Sequence, residues 1–291
     1  MNRAVDVRLQ DLLTVLQLEP LEVNLFRGES RDIGSPQVFG GQVLGQALVA
    51  AYKTLEAGRG DCHSLHAYFL RRGDFEAPIV YQVDRSRDGR SFSTRHVTAI
   101  QHGEQIFRLA ASFQVPEPGL EHSAPMPVVP PPEAIAPYRP EDDPRLRHLP
   151  ENIQRFLAHS RPFEFRPVQA PNYIDPQPVE PYKQVWFRAV DRVPSDDPWL
   201  HRCLLAYVSD YNLMDTALRP HGVPFTRLQL ASIDHAMWIH RSARVDEWLL
   251  YALDSPSASG ARGLSRGSIY TRDGMLVAST AQEGLMRTRE P

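Results

Sequence analysis

The sequence predicts an α+β chain built from one module used twice, each copy an antiparallel sheet wrapped around a buried helix. Three observations predict it. First, His66-Ala67-Tyr68-Phe69-Leu70 reads like His235-Ala236-Met237-Trp238-Ile239, with Tyr81 and Asp84 following the first stretch and Tyr251 and Asp254 the second. Each run then closes on a turn glycine and a small-residue segment, 103–111 and 274–282. The offsets drift from 169 through 170 to 171, as small loop insertions would make them. Self-similarity at one spacing marks a repeated structural unit. Second, each copy has one strongly apolar stretch with helical spacing. Third, each of those stretches is followed by short alternating runs separated by turn signals.

The elements follow in chain order. Leu9, Leu12, Leu13 and Leu16 give residues 1–18 the pattern of a short amphipathic helix rather than a signal peptide. Over 40–55, Val43, Leu44, Ala47, Leu48, Ala51, Tyr52 and Leu55 recur at helical spacing, and Val49 and Ala50 fill much of the remaining circumference. A helix that is apolar nearly all round is buried. Strands are predicted at 64–70, 79–85, 91–101 and 104–115, with turns at Arg72-Gly73-Asp74, Asp88-Gly89 and His102-Gly103. Residues 115–150 hold eleven of the 26 prolines. Proline lacks a backbone donor, so this span reads as an irregular connection. A short helix is expected at 151–158. The second copy then repeats the plan. It has a strand at 183–190, a helix carrying Trp199, Leu200, Cys203, Leu204, Tyr207, Val208 and Tyr211, and strands at 228–240, 247–254, 263–271 and 275–287. The expected division is 1–115, a connection at 116–150, and 151–291.

Composition narrows the function. A 42% hydrophobic content and a net charge of −3 describe an ordinary soluble chain with no bulk basic field for nucleic acid or anionic membrane. No run approaches a membrane span. Cys62 and Cys203 alone form neither a disulfide framework nor a metal signature, so a reducing cytoplasm is expected. The ending Arg289-Glu290-Pro291 is not a peroxisomal address.

Asp210 lies three residues past Tyr207, on or beside the apolar face of the second helix. A carboxylate facing a core is costly unless it is paired or functional. Within Ser209-Asp210-Tyr211-Asn212 it either makes a local turn or cap bond or serves chemistry. The first copy has Lys53 and Thr54 there, so the helices are not equivalent. Ser232 has no nucleophile elbow around it, which argues against an attacking serine. The Gln282 amide is no general base but can position a water. Asp234 and His235 are adjacent strand residues pointing to opposite faces, so a dyad is not expected. His66 answers His235 in the first copy, which favours a structural role for both. Gly40-Gly41-Gln42 opens the first buried helix. Its glycines allow either close ligand approach to free N–H groups or tight packing. The arginines at 71, 72, 85, 87, 90, 262, 266 and 272 read mostly as solvated surface.

Together these residues resemble the type II acyl-CoA thioesterases. The resemblance is carried by Val38-Phe39-Gly40-Gly41-Gln42-Val43-Leu44-Gly45-Gln46-Ala47, by 232–240, and by the ending from Glu247 to Gly284. It runs from about Leu12 to Arg287. It implies a double hotdog, two modules side by side sharing one continuous sheet. It implies that the family's catalytic trio falls on Asp210, Ser232 and Gln282; members carry threonine or serine at the middle position, and this chain has serine, which keeps the hydroxyl. The implied reaction is hydrolysis of an acyl-CoA to fatty acid and CoA, with Asp210 orienting and deprotonating water and Ser232 and Gln282 holding it. Gly41 and Gln42 N–H groups are the expected oxyanion donors. Attack by Asp210 itself, through an anhydride, is the mechanistic alternative. No metal or cofactor is expected, and a homo-oligomer, dimer or tetramer, is implied. A hotdog enoyl-CoA hydratase would need a helix aspartate–histidine pair, and the only helix histidine, His201, lies two turns before Asp210. A non-catalytic acyl-CoA binder would not need all three polar residues.

Overall fold

The computed structural model describes residues 4–171 and 173–289. Its first half runs α1 (Val7–Val15), β1 (Glu19–Glu22), β2 (Leu25–Gly28), α2 (Gly40–Lys53), β3 (Asp61–Phe69), β4 (Ile79–Asp88), β5 (Phe92–Gln101) and β6 (Glu104–Gln114). The second runs α3 (Glu151–Ala158), β7 (Phe163–Pro167), β8 (Tyr182–Ala189), α4 (Pro198–Ser209), α5 (Leu213–Leu218), β9 (Leu228–Ser232), β10 (Asp234–Ile239), β11 (Leu249–Ser259), β12 (Arg262–Thr271) and β13 (Leu276–Thr288). All strands join one antiparallel sheet. Its order is β1-β2-β4-β5-β6-β3-β10-β13-β12-β11-β8-β7, with β9 pairing β13 off this path. The two copies meet where β3 pairs β10, from Asp234 opposite Tyr68 to Trp238 opposite Ser64. This is the double hotdog that the repeat and the resemblance predict.

α2 is buried almost all round, and its two glutamines are enclosed with it. The Gln46 amide donates to Val15 O (2.7 Å) and Glu29 O (2.8 Å) and accepts from the Tyr81 hydroxyl (2.7 Å), so its polar atoms are matched inside the core. α2 crosses α4 at two glycines one turn apart. A Cβ on Gly41 would lie 2.2 Å from the Tyr207 carbonyl oxygen, and one on Gly45 would lie 3.4 Å from the Cys203 oxygen. Only glycine lets the backbones come this close at the first of these positions.

One register in the predicted repeat needs correction. His66 is exposed and stacks edge-on against Trp238, whereas His235 is fully buried. On the faces of the sheet, Leu65 rather than His66 answers His235, an offset of 170 rather than 169. A one-residue slip turns every side chain to the other face. The match with His66 therefore gives no ground for a structural role of His235.

The proline-rich connection is less idle than expected. It contains three 3₁₀ turns, at Pro132–Ala134, Pro140–Asp142 and Pro144–His148. Met126, Val129 and Ile135 pack on Trp186, Trp248, Leu250 and Tyr270, and the Trp186 indole N–H donates to Pro130 O (2.9 Å). The connection thus straps the outer face of the second half of the sheet.

Candidate active site

α4 ends at Ser209, and Asp210 is its C-cap residue. Asn212, left-handed at φ 72°, then turns the chain into α5, a conformation that asparagine tolerates better than most residues. The turn is locked from below by Lys183, only 2% exposed, whose ammonium donates to Asn212 Oδ1 (2.7 Å) and Asp215 Oδ2 (2.6 Å). Asp210 itself is held half-buried against the start of α2. A Cβ on Gly40 would lie 2.7 Å from Asp210 Oδ2 and 2.9 Å from the Phe69 ring. Burial pushes the Asp210 carboxyl up to about 6, while the neighbouring Gly41 N–H and Gln282 amide pull the other way. Asp210 Oδ1 is buried and has no hydrogen-bond partner among the described residues.

The structure brings Ser232 and Gln282 to this carboxylate from the sheet. Gln282 sits on β13, 2% exposed, and its Nε2 donates to Ser232 Oγ (2.9 Å). Ser232 closes β9, immediately before a break in the ladder at Ile233. There the Ile233 N–H goes to Glu283 O and the Ile233 carbonyl accepts from Phe69 N–H (both 2.9 Å). The single strand predicted at 228–240 is thus two strands, and the break lets Ser232 share a side with Gln282. The Ser232 hydroxyl accepts from Gln282 and donates to no group among the described residues. Asp234 accepts from Glu283 N–H (2.6 Å) and does not touch His235 in any hydrogen bond, as the strand geometry predicts.

Sequence reasoning missed His235. Its Nδ1 lies 2.7 Å from Gln282 Oε1 and its Nε2 lies 3.0 Å from Ser209 Oγ. Burial drives its pKa down to about 4, against the upward pull of the Gln282 amide, so the ring is neutral near pH 7. Correct strand register was the signal that would have found it. His201, weighed as a hydratase partner, sits at the other end of α4, about 13 Å from Asp210 at the helical rise per residue. It bonds Ser195 O (3.2 Å) and Val245 N–H (3.3 Å) instead.

The two expected oxyanion donors are already engaged. The Gln42 N–H donates to Phe39 O (3.0 Å), and the Gly41 N–H faces Asp210. Gln42 also spends its side chain internally, accepting from Arg31 N–H (3.0 Å). Gly40, one residue earlier, is the glycine that approaches the carboxylate.

At the mirror position in the first copy the polar set is absent. Leu65 pairs with Ala111 where His235 and Gln282 meet in the second copy. The end of α2 is capped instead by Arg95, 1% exposed. Its guanidinium donates to Thr54 Oγ1 (2.9 Å), Arg87 O (3.0 Å), Thr94 O (3.0 Å) and Asp88 Oδ1 (2.6 Å). A cation at a helix C-terminus is favourable, so this copy stabilises the end at which the other holds a carboxylate. Among the described residues no cluster of His, Cys, Asp or Glu is placed to hold a metal ion.

Known proteins share both the fold and the sequence. Residues 154–285 match the model of the acyl-CoA thioesterase family, and 27–114 match the acyl-CoA thioesterase N-terminal domain. The chain is 42% identical to human acyl-coenzyme A thioesterase 8, over 98% of this chain and 91% of that one. The chain belongs to the acyl-CoA thioesterase family. This thioesterase is also 42% identical to acyl-CoA thioesterase 2 of Haemophilus influenzae, over 97% of this chain and 99% of the other. Among solved structures it resembles acyl-CoA thioesterase II from Mycobacterium marinum, with 43% identity, a TM-score of 0.78, and coverage of 96% and 99% of the two chains.

The contact between Gly40 and Asp210 makes a prediction. In Gly40→Ala the new methyl meets the carboxylate and the Phe69 ring rather than backbone, so the fold is retained. With Asp210 in the role that the resemblance implies, displacing its carboxylate is expected to lower kcat by about 10- to 100-fold. Gly41→Val is the poorer probe, because its side chain would meet the Tyr207 carbonyl and part the helices. Steady-state kinetics with a melting curve for Gly40→Ala check this, and wild-type kcat would mean that the start of α2 lies outside the site.

Proposed function

We propose that this chain hydrolyses fatty acyl-CoA to free fatty acid and CoA by direct attack of water, at one site built from both copies. The observation that carries it is the bare Asp210 Oδ1, buried beside the Ser232–Gln282 hydrogen bond. A water there donates to Asp210 and accepts from the Ser232 hydroxyl. Its oxygen attacks the thioester carbonyl carbon as Asp210 takes the proton. The carbon–sulfur bond then breaks, and the thiolate, whose parent thiol has a pKa of about 8.5, leaves without a strong acid. A carboxylate raised toward neutrality is a better base than an ordinary aspartate. Gly40 N–H, in the first turn of α2, donates to no group among the described residues and is the donor we assign to the developing oxyanion.

A hydratase is disfavoured because His201 is remote from Asp210, and a passive binder has no need of a raised, half-buried carboxylate. The buried free thiols of Cys62 and Cys203 support a reducing, cytoplasmic setting. The test is release of CoA thiol from saturated acyl-CoAs over a chain-length series, beside hydration of an enoyl-CoA. Thiol release without hydration is expected, and hydration without thiol release would overturn the reading.

Ser232 is assigned a positioning role rather than attack. Ser232→Thr keeps the hydroxyl and is expected to retain most activity, whereas Ser232→Ala loses about 10-fold or more, the scale of one lost positioning hydrogen bond. Mass spectrometry of the quenched enzyme should find no acyl group on Ser232, and an acyl-serine there would make it the nucleophile.

A further inference from the structure

The trio leaves His235 without a task, yet this ring touches Gln282 and the last residue of α4 at once. We propose that His235 is a positioning residue that holds the Gln282 amide in its working orientation, and that Ser209 sets the tautomer that allows it. The proposal rests on the reading of Asp210, Ser232 and Gln282 as the hydrolytic site.

A primary amide can present either end, and its neighbours decide which. The Asp210 carboxylate only accepts, so the Gln282 NH₂ group must face it. One N–H goes toward Asp210 and the other to Ser232 Oγ at 2.9 Å. Oε1 is then turned to His235 Nδ1, 2.7 Å away, and that nitrogen must carry the proton. In the neutral ring Nε2 is left as a bare acceptor. Ser209 Oγ, 3.0 Å away, is the donor that this tautomer requires.

Ser209 has a single proton, and the Ala206 carbonyl at 2.9 Å competes for it. With that proton turned to Ala206, the neutral ring would need its own proton on Nε2. Nδ1 and Gln282 Oε1 would then face each other as two acceptors. The amide would flip, setting its oxygen against the Asp210 carboxylate and taking its donors away from Ser232. The order Ser209 to His235 to Gln282 therefore fixes which end of the amide faces the reacting water.

The first copy shows that the sheet does not need a histidine at this place. Leu65 and Ala111 occupy the same registers there, and β3 and β6 pair through them. An apolar pair suffices for the strands, so the polar pair in the second copy serves something else. Ser209 also lies next to Asp210 in the chain. The ring thus ties the end of α4, which carries the base, to β13, which carries the amide.

The experiment compares His235→Leu, His235→Asn and Ser209→Ala in acyl-CoA hydrolysis, with Asp210→Asn as the reference. His235→Leu installs the residue of the first copy and removes the donor. Its kcat is expected to fall about 10- to 100-fold with KM changed little, since the effect falls on orientation. In His235→Asn the side-chain amide places an N–H near the position of Nδ1, and activity should recover to within about fivefold of wild type, as one restored donor allows. On a Gln282→Leu background, His235→Leu should cost nothing further, because residues acting through one another are not additive. Should His235→Leu fail to fold, Ser209→Ala carries the test, with a lowered kcat at unchanged KM. Equal losses in His235→Leu and His235→Asn, additive losses with Gln282→Leu, or wild-type kcat in a folded His235→Leu or Ser209→Ala would each overturn the proposal. An active Asp210→Asn enzyme would instead overturn the hydrolytic reading on which it rests.

Discussion

Replacing Asp210 by Asn should cut kcat at least about a hundredfold, the usual scale for removing a general base, and should make the folded protein more stable. Asn keeps the size of the side chain and its contact with Gly40 but cannot take a proton from water. The stability change has a definite sign. Burial holds the Asp210 carboxyl at about 6 in the folded chain, above its unfolded value. The folded state therefore grips this proton more tightly than the unfolded state. The resulting stability is present below about pH 4 and lost as pH rises through about 6. At pH 8 the native enzyme carries the whole cost of an ionised, half-buried carboxylate, and Asp210→Asn removes it. A gain on the order of 1–3 kcal/mol follows from the size of the shift, read as a higher melting temperature at pH 8 and a smaller difference at pH 4. A variant less stable than wild type at pH 8 would mean that the carboxylate is satisfied by its neighbours.

The second large effect comes from cutting the chain. Fragments 1–115 and 116–291 expressed separately should each be insoluble, or molten with no cooperative unfolding transition. Separation strips β3 from β10, opening two edges in mid-sheet, and parts α2 from α4 at Gly41 and Gly45. Unpaired strand edges and an exposed apolar helix face favour aggregation over folding. Two soluble fragments, each melting cooperatively, would show that the copies are independent domains.

Much of this architecture was legible because its signals are long. The 14 residues of α2 and the 12 of α4 carry enough apolar positions to fix both a period and a face. The turn glycines of the meanders bound their strands. The elements missed were short ones. β1 is four residues, all exposed, β7 is five, and α5 is six. Such pieces lack a period of their own and form because neighbouring strands and β12 receive them. The site was legible to a different depth. Asp210 stood out because a carboxylate near an apolar helix face needs a reason. Ser232 and Gln282 carried no such signal in the sequence, and only the resemblance singled them out. Their meeting depends on the break at Ile233, which an unbroken run of strand-forming residues does not announce. His235 was matched to the wrong residue of the first copy by a slip of one position, because a strand has a period of two and a weak repeat does not fix its phase. The oxyanion donors were expected at Gly41 and Gln42, whose N–H groups face Asp210 and Phe39 O in the fold, since helix spacing does not say which first-turn N–H is already used.

The pH dependence of kcat/KM for acyl-CoA hydrolysis, measured in parallel on wild type and Asp210→Asn, tests the central claim most directly. In the free enzyme Asp210 must be ionised to act as base, while His235, with its pKa lowered to about 4, stays neutral throughout. The wild-type profile should therefore climb with a single ionisation near pH 6 and level off above it. The residual rate of Asp210→Asn should cross that range without the inflection. An inflection near pH 6 that survives in Asp210→Asn, or a wild-type profile flat from pH 5 to pH 8, would contradict the assignment of Asp210 as the group that activates water.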